Sequence, residues 1–234
     1  YSVLPTNGDG DFTFARTSTA TRVNSNGLIE EVGINKPRLD YSDGACPSLL
    51  LEPQSTNLIP YSEDISDASW SKQVGGVASA PVVTANYAIS PDGTQNASRV
   101  VFDLNGGTTT SDLSQLVSAI TATIGNDYTS SVYLKSNDGS THILTFVAVD
   151  GSTSIISATP QWQRFDISAT LSVANMRIRT RGSEGSSDVT DISIWGAQIE
   201  EQSYATSYIK NEGTAAGITR AADSATGSGD ATVI

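Results

Sequence analysis

The stretch Asp127–Ser136 (DYTSSVYLKS) decides the fold class, because its side chains alternate in character at every second residue. In an extended strand Val132 and Leu134 lie on one face, and Tyr133 and Lys135 lie on the other. This pattern is typical of a strand with one face against a hydrophobic core. The stretch therefore predicts a β-strand.

Comparable runs occur on both sides of this strand, separated by turn residues. No part of the chain shows a sustained helical period, and Ser, Thr, Gly and Asn take the place of charged residues, which make up 16% of the sequence. That composition disfavours helices. Several short strands with turns between them predict an all-β sandwich. The predicted strands are 97–104, 112–119, 127–136, 142–149, 162–168, 173–181 and 190–200.

The sequence predicts three segments of different character: an N-terminal arm over 1–55, a main domain over 56–210 and a C-terminal tail over 211–234. The arm contains Asn26-Gly27, a strong hairpin signal between two extended pieces. Its few large apolar residues predict that it packs on the main domain or on a neighbouring subunit. The tail is rich in Gly, Ala, Ser and Thr, which predicts a weakly structured segment.

The charge balance excludes one large class of partner. The formal net charge is −12 at pH 7, whereas nucleic-acid binding needs an excess of Lys and Arg to neutralise phosphates. No apolar run approaches the roughly 18 residues of a membrane span. Cys46 is the only cysteine, so no intrachain disulfide is possible.

Part of the sequence resembles the jelly-roll fold of carbohydrate-binding modules. The residues that carry this resemblance are 57–60 (NLIP), 128–136 (YTSSVYLKS), 161–165 (QWQRF) and 191–194 (DISI). The resemblance implies a jelly-roll β-sandwich that binds glycans. Many jelly rolls of this type hold a structural Ca²⁺, and the family pattern places its ligands at Glu63 or Asp64 and at Asp191. Turn carboxylates are also commonly solvated or cap the backbone, so both interpretations stay open.

A second resemblance covers the arm. The segments 14–24 (FARTSTATRVN), 37–41 (PRLDY), 51–58 (LEPQSTNL) and 204–209 (YATSYI) are similar to a group of tailed-phage virion proteins in which an arm precedes a jelly roll. The resemblance implies a structural or adhesion role on a virion, as in capsid decoration, head fibres or tails. The implied partners are further copies of the chain, other virion proteins and a host-surface glycan.

The alternative interpretation is a glycan-binding module of a larger extracellular polysaccharide-degrading enzyme. Catalysis by this chain itself is not expected. His142 and Cys46 are the only residues of their types, and His142 has no nucleophile beside it in the sequence. Adjacent carboxylates on a strand point to opposite faces and do not form a glycosidase pair. We expect no organic cofactor.

The candidate binding residues combine cations with aromatic rings. Arg177, Arg179 and Arg181 alternate with Met176 and Ile178, so the three arginines share one strand face. Such a row suits an anionic glycan or an acidic partner, although pairing with Asp or Glu on a neighbouring strand would explain it equally.

Aromatic residues supply the other candidates. If the strands belong to one sheet, the arginine row lies beside Tyr133, Trp162 and Arg164. Trp70 and Trp195 complete the set of tryptophans. Trp195 is predicted to lie in the core, while Trp70 either binds glycan or closes one end of the sandwich.

Overall fold

A computed structural model describes residues 13–226, which form β-strands and one short 3-10 turn, with no α-helix in that range. The all-β prediction is confirmed. Over the same residues no helix is long and apolar enough to cross a membrane. In chain order the strands are β1 (Thr13–Ala15), β2 (Ala20–Val23), β3 (Ile29–Val32), β4 (Arg38–Asp40), β5 (Ser48–Leu50), β6 (Ser55–Asn57), β7 (Trp70–Gly75), β8 (Ser79–Ala88), β9 (Ala97–Asp103), β10 (Leu113–Ala119), β11 (Asp127–Ser136), β12 (His142–Val147), β13 (Thr153–Ala158), β14 (Gln163–Thr170), β15 (Asn175–Arg181), β16 (Val189–Glu200), β17 (Ile218–Arg220) and β18 (Ser224–Thr226).

The chain divides into two compact units. The sandwich unit contains Thr56–Ala205 and Lys210–Ile218, and the terminal unit contains the remaining residues from both sides of it, together with Thr206–Ile209. The boundaries fall within β6 and β17. The segment predicted as a tail over 211–234 is thus divided between the units, and its last residues, 227–234, lie outside the described part of the chain.

The sandwich unit consists of two antiparallel five-stranded sheets. Sheet 1 has the order β13-β12-β15-β10-β7, and sheet 2 has the order β14-β11-β16-β9-β8. Seven of these strands match the predicted ones. The sequence prediction misses β7, β8 and β13. The missed strands lie at sheet edges, where solvent on several sides removes the regular alternation that a half-buried strand shows.

The core lies between the two sheets and is built from alternate residues of each strand. Leu116, Phe146 and Ile178 point into it from sheet 1, while Val132 and Ile194 point into it from sheet 2, and all five side chains are fully buried. Each such side chain contributes about 1.5–3 kcal/mol on burial. The core therefore fixes which residues of every strand face outward.

One irregularity in β16 adjusts this alternation. Tyr133 of β11 pairs with Trp195, but Ser131 pairs with Gln198, so β16 has one extra residue over this interval. Gly196 lies there with a φ of 64°, a conformation that glycine adopts without steric cost. Trp195 faces away from the core by alternation from Ile194, and the extra residue Gly196 brings Ala197 into the core as well.

The terminal unit begins with short paired strands. β2 and β3 pair around the Asn26-Gly27 turn as the sequence predicts, and Gly27 has a φ of 77°. β4 pairs with β5, and β1 pairs with β18 from the other end of the chain. Residues 224–226 of the predicted tail are therefore a strand partner of the arm.

Three arginines are buried in the terminal unit and form what we call the terminal arginine cluster: Arg16, Arg38 and Arg220. Each is at most 1% exposed. Asp223 accepts hydrogen bonds from Arg16 (2.9 Å) and from Arg38, and Glu52 pairs with Arg38 (2.8 Å) and with Arg220. Three guanidinium groups and two carboxylates thus connect residues from both sides of the sandwich unit in the sequence.

Candidate functional site

The strand β15 places its three arginines on the outer face of sheet 1, as their alternation predicts. Met176 and Ile178 are fully buried in the core on the opposite face. β15 is the central strand of sheet 1, between β12 and β10. We call the outward side of sheet 1 the arginine face.

A row of side chains crosses the arginine face in register through all five strands. Arg179 pairs with Gln115 of β10 and Thr145 of β12, and the row continues to Gln73 of β7 and Ile155 of β13. The amide of Gln115 donates to the Gln73 Oε1 atom over 2.6 Å. The row therefore joins amide, guanidinium and hydroxyl groups across the width of the sheet.

Arg177 belongs to the next row. Its cross-strand neighbours are Val117 on β10 and Val147 on β12, both apolar. The Arg177 Nε atom donates to the Oδ1 atom of Asn175 over 2.6 Å. Burial lowers the pKa of the half-buried Arg177 below its ordinary value, and the charges of Arg179 and Arg181 lower it further.

Glu184 supplies the negative charge of this face. It lies in the 3-10 turn Gly182–Glu184 directly after β15 and forms a two-point ion pair with Arg179, while Arg181 lies 3.9 Å from it. Burial acts to raise the pKa of Glu184, but the hydrogen bond from Arg179 and the two nearby cations outweigh it. The pKa therefore lies below its ordinary value, and Glu184 is ionised at neutral pH.

On the arginine face, the Oε1 atom of Gln115 and the Nε atom of Arg181 are buried without a hydrogen-bond partner among the described residues, and the Gln115 residue is only 7% exposed. Buried polar groups in native proteins are nearly always satisfied, so such atoms require an explanation. An acceptor and a donor of this kind match the hydroxyl groups of a polar ligand.

The aromatic candidates lie on the other sheet, which corrects the prediction of a single patch. Tyr133 is on β11, Arg164 is on β14 and Trp162 directly precedes β14, and both strands belong to sheet 2. The arginine row of β15 belongs to sheet 1. Local alternation fixes the face of each strand, but it does not reveal which strands share a sheet. We call the outward side of sheet 2 the aromatic face.

The rings of the aromatic face are engaged by cations of the chain itself. The guanidinium of Arg164 lies 5.4 Å from the centre of the Tyr133 ring, and the ammonium of Lys135 lies 5.4 Å from that of Trp162. Tyr133 also contacts Trp195 edge to face, with 5.5 Å between ring centres. A sugar that stacked on a covered ring surface would have to displace its cation.

A hydrogen bond joins the two edges of sheet 2 above the aromatic face. The indole nitrogen of Trp162, beside the edge strand β14, donates to the carbonyl of Ile89, just beyond the opposite edge strand β8, over 3.0 Å. Trp162 is therefore held in place as a bridge. This geometry favours a structural role for it.

Trp70 is removed from the set of binding candidates by its position. It is 1% exposed and belongs to the core cluster, and its indole nitrogen donates to the carbonyl of Tyr61 over 2.9 Å. Its ring closes part of the sandwich interior, which was the alternative that the sequence left open. Trp195 is also 1% exposed, but it lies on the side of sheet 2 that faces away from the core, whereas the sequence predicts a core position.

The three carboxylates assigned to calcium have other partners in this structure. Asp191 pairs with Arg99 and accepts from Asn137, and the hydrogen bond from Arg99 is the main reason that its pKa lies below the ordinary value. Asp64 accepts from the backbone of Ser66. Residues 13–226 contain no group of three or more His, Cys, Asp or Glu arranged to hold a metal ion. Calcium binding stays a prediction.

Glu63 lies in a polar cleft of about 310 Å³ in the sandwich unit. It accepts from Asn96 over 3.0 Å and pairs with Lys210 at 3.2 Å, and Lys210 also pairs with Glu212 at 2.7 Å. Burial acts to lower the pKa of Lys210, but its two carboxylate partners outweigh this and hold it above the ordinary value. The ammonium group of Lys210 thus lies between the carboxylates of Glu63 and Glu212.

Four residues of the arginine face are not among the candidates that the sequence predicts: Gln73, Gln115, Thr145 and Glu184. Gln115 occupies an outward position of a predicted strand, so alternation could have marked it. Gln73 lies on an unpredicted edge strand, and Glu184 lies in a turn. Their relation to Arg179 depends on strand register, which a single sequence does not contain.

Comparison with known proteins finds similarity in structure but no match in sequence. No protein family's sequence profile and no curated protein sequence matches the chain. Among solved structures, it is similar to a family 11 carbohydrate-binding module from Clostridium thermocellum, with 11% identity and a TM-score of 0.40 over 70% of this chain and 99% of that one. It is also similar to the CBM22-1 xylan-binding domain from Paenibacillus barcinonensis, with 13% identity and a TM-score of 0.37 over 64% and 94%.

A phage protein is among the similar structures as well. The enzymatically active domain of bacteriophage CBA120 tailspike protein 4 matches with 11% identity and a TM-score of 0.36, over 61% of this chain and 21% of that one. Similarity at this level carries no residue roles. The function proposed below rests on the geometry of this chain.

Proposed function

We propose that the chain is a non-catalytic glycan-binding protein whose ligand lies across the arginine face. The observation that carries the proposal is the row Gln73–Gln115–Arg179–Thr145, which presents polar groups in register over four neighbouring strands. Sugar hydroxyls both donate and accept hydrogen bonds. The row offers the amide of the exposed Gln73 and, behind it, the buried Oε1 atom of Gln115, which has no hydrogen-bond partner among the described residues.

The width of the row also suits a polymer. Adjacent strands are about 4.8 Å apart, so five strands span about 19 Å. A polysaccharide segment lying across the strands would contact several side chains at once. Apolar neighbours such as Val117 and Ile155 provide surface for the carbon atoms of the sugar rings.

The test is binding of polysaccharides by the full chain, measured by affinity electrophoresis and calorimetry. Gln73→Ala and Gln115→Ala should each weaken binding about ten-fold, which corresponds to about 1.4 kcal/mol. Gln161→Ala, an exposed glutamine beside sheet 2, is the matched control and should not change affinity. Gln73 is exposed, so its replacement tests the face even if Gln115→Ala disturbs folding. Binding that is insensitive to both changes would place the ligand elsewhere.

The proposal also states that the chain does not cleave the polysaccharide it binds, and a separate assay tests this. Each polysaccharide that binds is incubated with the chain, and new reducing ends are counted. We expect none above background. Steady release of ends would replace the binding proposal with an enzymatic one.

The finer proposal is that this binding serves a tailed-phage virion, where the chain is a structural or adhesion protein and assembles with copies of itself. The arm segments that resemble virion proteins support it, and they also contain Arg16 and Arg38 of the terminal arginine cluster and their partner Glu52. The alternative is a binding module of a larger extracellular polysaccharide-degrading enzyme. Electron microscopy of the purified chain separates them: rings, trimers or fibres support the virion role, whereas isolated monomers support the module.

A further inference from the structure

The arginine face carries more positive than negative charge. Arg177, Arg179 and Arg181 contribute three positive charges, Glu184 contributes one negative charge, and the other side chains of the two rows that contain Arg177 and Arg179 are uncharged. The chain as a whole has a net charge of −12. An excess of positive charge on this sheet is therefore a local departure from the rest of the molecule.

The excess is concentrated on Arg177. Glu184 pairs with Arg179 and approaches Arg181, and none of the ion pairs among residues 13–226 includes Arg177. Within residues 13–226, the Arg177 guanidinium donates a hydrogen bond to the neutral amide oxygen of Asn175. Arg177 is thus a half-buried cation flanked by apolar valines and by two other cations.

This environment works against the charged form of Arg177. Burial removes part of its hydration, and the neighbouring guanidinium groups repel it, which together lower its pKa. An anion placed beside Arg177 would reverse both effects, because it supplies an opposite charge and hydrogen-bond acceptors. The planar guanidinium group is suited to bind a carboxylate or a sulfate through two parallel hydrogen bonds.

We infer that the glycan bound by the arginine face is acidic, and that Arg177 holds its carboxylate or sulfate group. This inference rests on the proposed glycan-binding function and adds the chemical class of the ligand. Glu184 then also determines where the anion binds. It neutralises Arg179, so the uncompensated positive charge is that of Arg177 in the neighbouring row. The row through Gln73 and Gln115 then forms hydrogen bonds with the hydroxyl groups of the same polymer.

The test uses polymers that differ only in charge. Polygalacturonate is compared with its fully methyl-esterified form, and dextran sulfate is compared with dextran, at about 0.15 M salt, where exposed charges beyond roughly 8 Å are screened. We expect at least one acidic polymer to bind ten-fold or more tightly than its neutral counterpart. The two pairs show whether carboxylate or sulfate is the preferred group.

Variants assign the effect to Arg177. Arg177→Gln should lower affinity for the acidic polymer about ten-fold and leave affinity for the neutral form unchanged. Arg177→Lys should recover part of the loss, because lysine retains the charge without the planar two-point geometry. Arg164→Gln on the aromatic face removes the same charge from the other sheet and should change affinity less than two-fold.

The possible outcomes distinguish failure of the acidic-ligand inference from failure of the proposed glycan-binding function. Equal binding of acidic and neutral polymers overturns the inference and leaves glycan binding standing. Acidic binding that Arg177→Gln does not weaken also overturns it. If none of the polymers binds but an acidic protein partner does, both the inference and the proposed glycan function are wrong.

Discussion

The terminal arginine cluster and the arginine face each contain three arginines, but they balance charge differently. In the terminal cluster Arg16, Arg38 and Arg220 are almost completely buried and share two carboxylates. On the arginine face Glu184 pairs with Arg179 and approaches Arg181, whereas the half-buried Arg177 belongs to no ion pair among residues 13–226. In the terminal cluster every arginine has a carboxylate partner, so the fold depends on those carboxylates, whereas a row with an arginine outside any ion pair is suited to bind an external anion.

The largest expected loss of stability comes from breaking the terminal arginine cluster. Asp223→Asn leaves Arg16 and Arg38 without their shared carboxylate in a buried site, which should cost about 3–5 kcal/mol. Denaturant unfolding and hydrogen exchange of the β2–β3 amides measure the loss. Asp43→Asn, an exposed aspartate of the same unit, is the control and should cost less than about 0.5 kcal/mol. Equal effects of the two variants would contradict a stabilising role for the cluster.

The cluster should also make the terminal unit sensitive to acid. Burial acts to raise the pKa of Asp223, but the hydrogen bonds from Arg16 and Arg38 outweigh it, so the folded-state pKa lies below the ordinary value. Its contribution is therefore present above the unfolded-state pKa of about 3.9 and is lost as pH falls through the lower folded-state pKa. Hydrogen-exchange protection factors, which correct for the pH dependence of the intrinsic exchange rate, should change little from pH 7 to 5 and fall in the terminal unit below about pH 4. The Asp223→Asn variant should lose this step, and parallel pH curves for the two proteins would contradict the assignment.

A smaller effect is expected when the single counter-ion of the arginine face is removed. Glu184→Gln breaks the two-point pair with Arg179 and should lower stability by about 2 kcal/mol, the scale of hydrogen bonds to charged groups. The same change removes the negative charge of Glu184 from the face and should tighten binding of an acidic polymer about three-fold. Calorimetry and thermal unfolding on one protein batch measure both. Weaker binding would show that Glu184 positions Arg179 for the ligand more than it neutralises it.

The smallest effect is expected on the aromatic face. Arg164→Gln removes the contact of a half-buried guanidinium with the Tyr133 ring, and a contact of this kind is worth about 1 kcal/mol. Thermal unfolding measures the change. A loss above about 2 kcal/mol would show that the aromatic face, like the terminal cluster, is a main source of stability.

The sequence predicts the elements of this fold better than their arrangement. Alternation in Asp127–Ser136 and in the arginine strand identifies which side chains face outward, and both are found as predicted. The separation of Tyr133 from Arg177 on different sheets is not predictable in this way. Sheet membership depends on pairing between strands far apart in the chain, and each strand's own pattern is the same in either sheet.

The terminal cluster shows the same limit more sharply. Arg16 and Arg38 appear in the sequence only as parts of the arm that resembles virion proteins. Asp223 lies in a segment whose composition predicts weak structure, 207 residues from Arg16. No local signal connects them, because the hydrogen bonds depend on the folded path of the whole chain between.

The pairing of Arg16 with Asp223 sets an order of events during synthesis. A ribosome completes Arg16, Arg38 and the whole sandwich unit before it reaches Asp223, which at about 5–20 residues per second takes on the order of ten seconds or more. Until then the two early arginines have no carboxylate from the C-terminal side, so the terminal unit cannot close. The sandwich strands precede Asp223 in the chain and can pair earlier, whereas β1 has no partner strand until β18 is made.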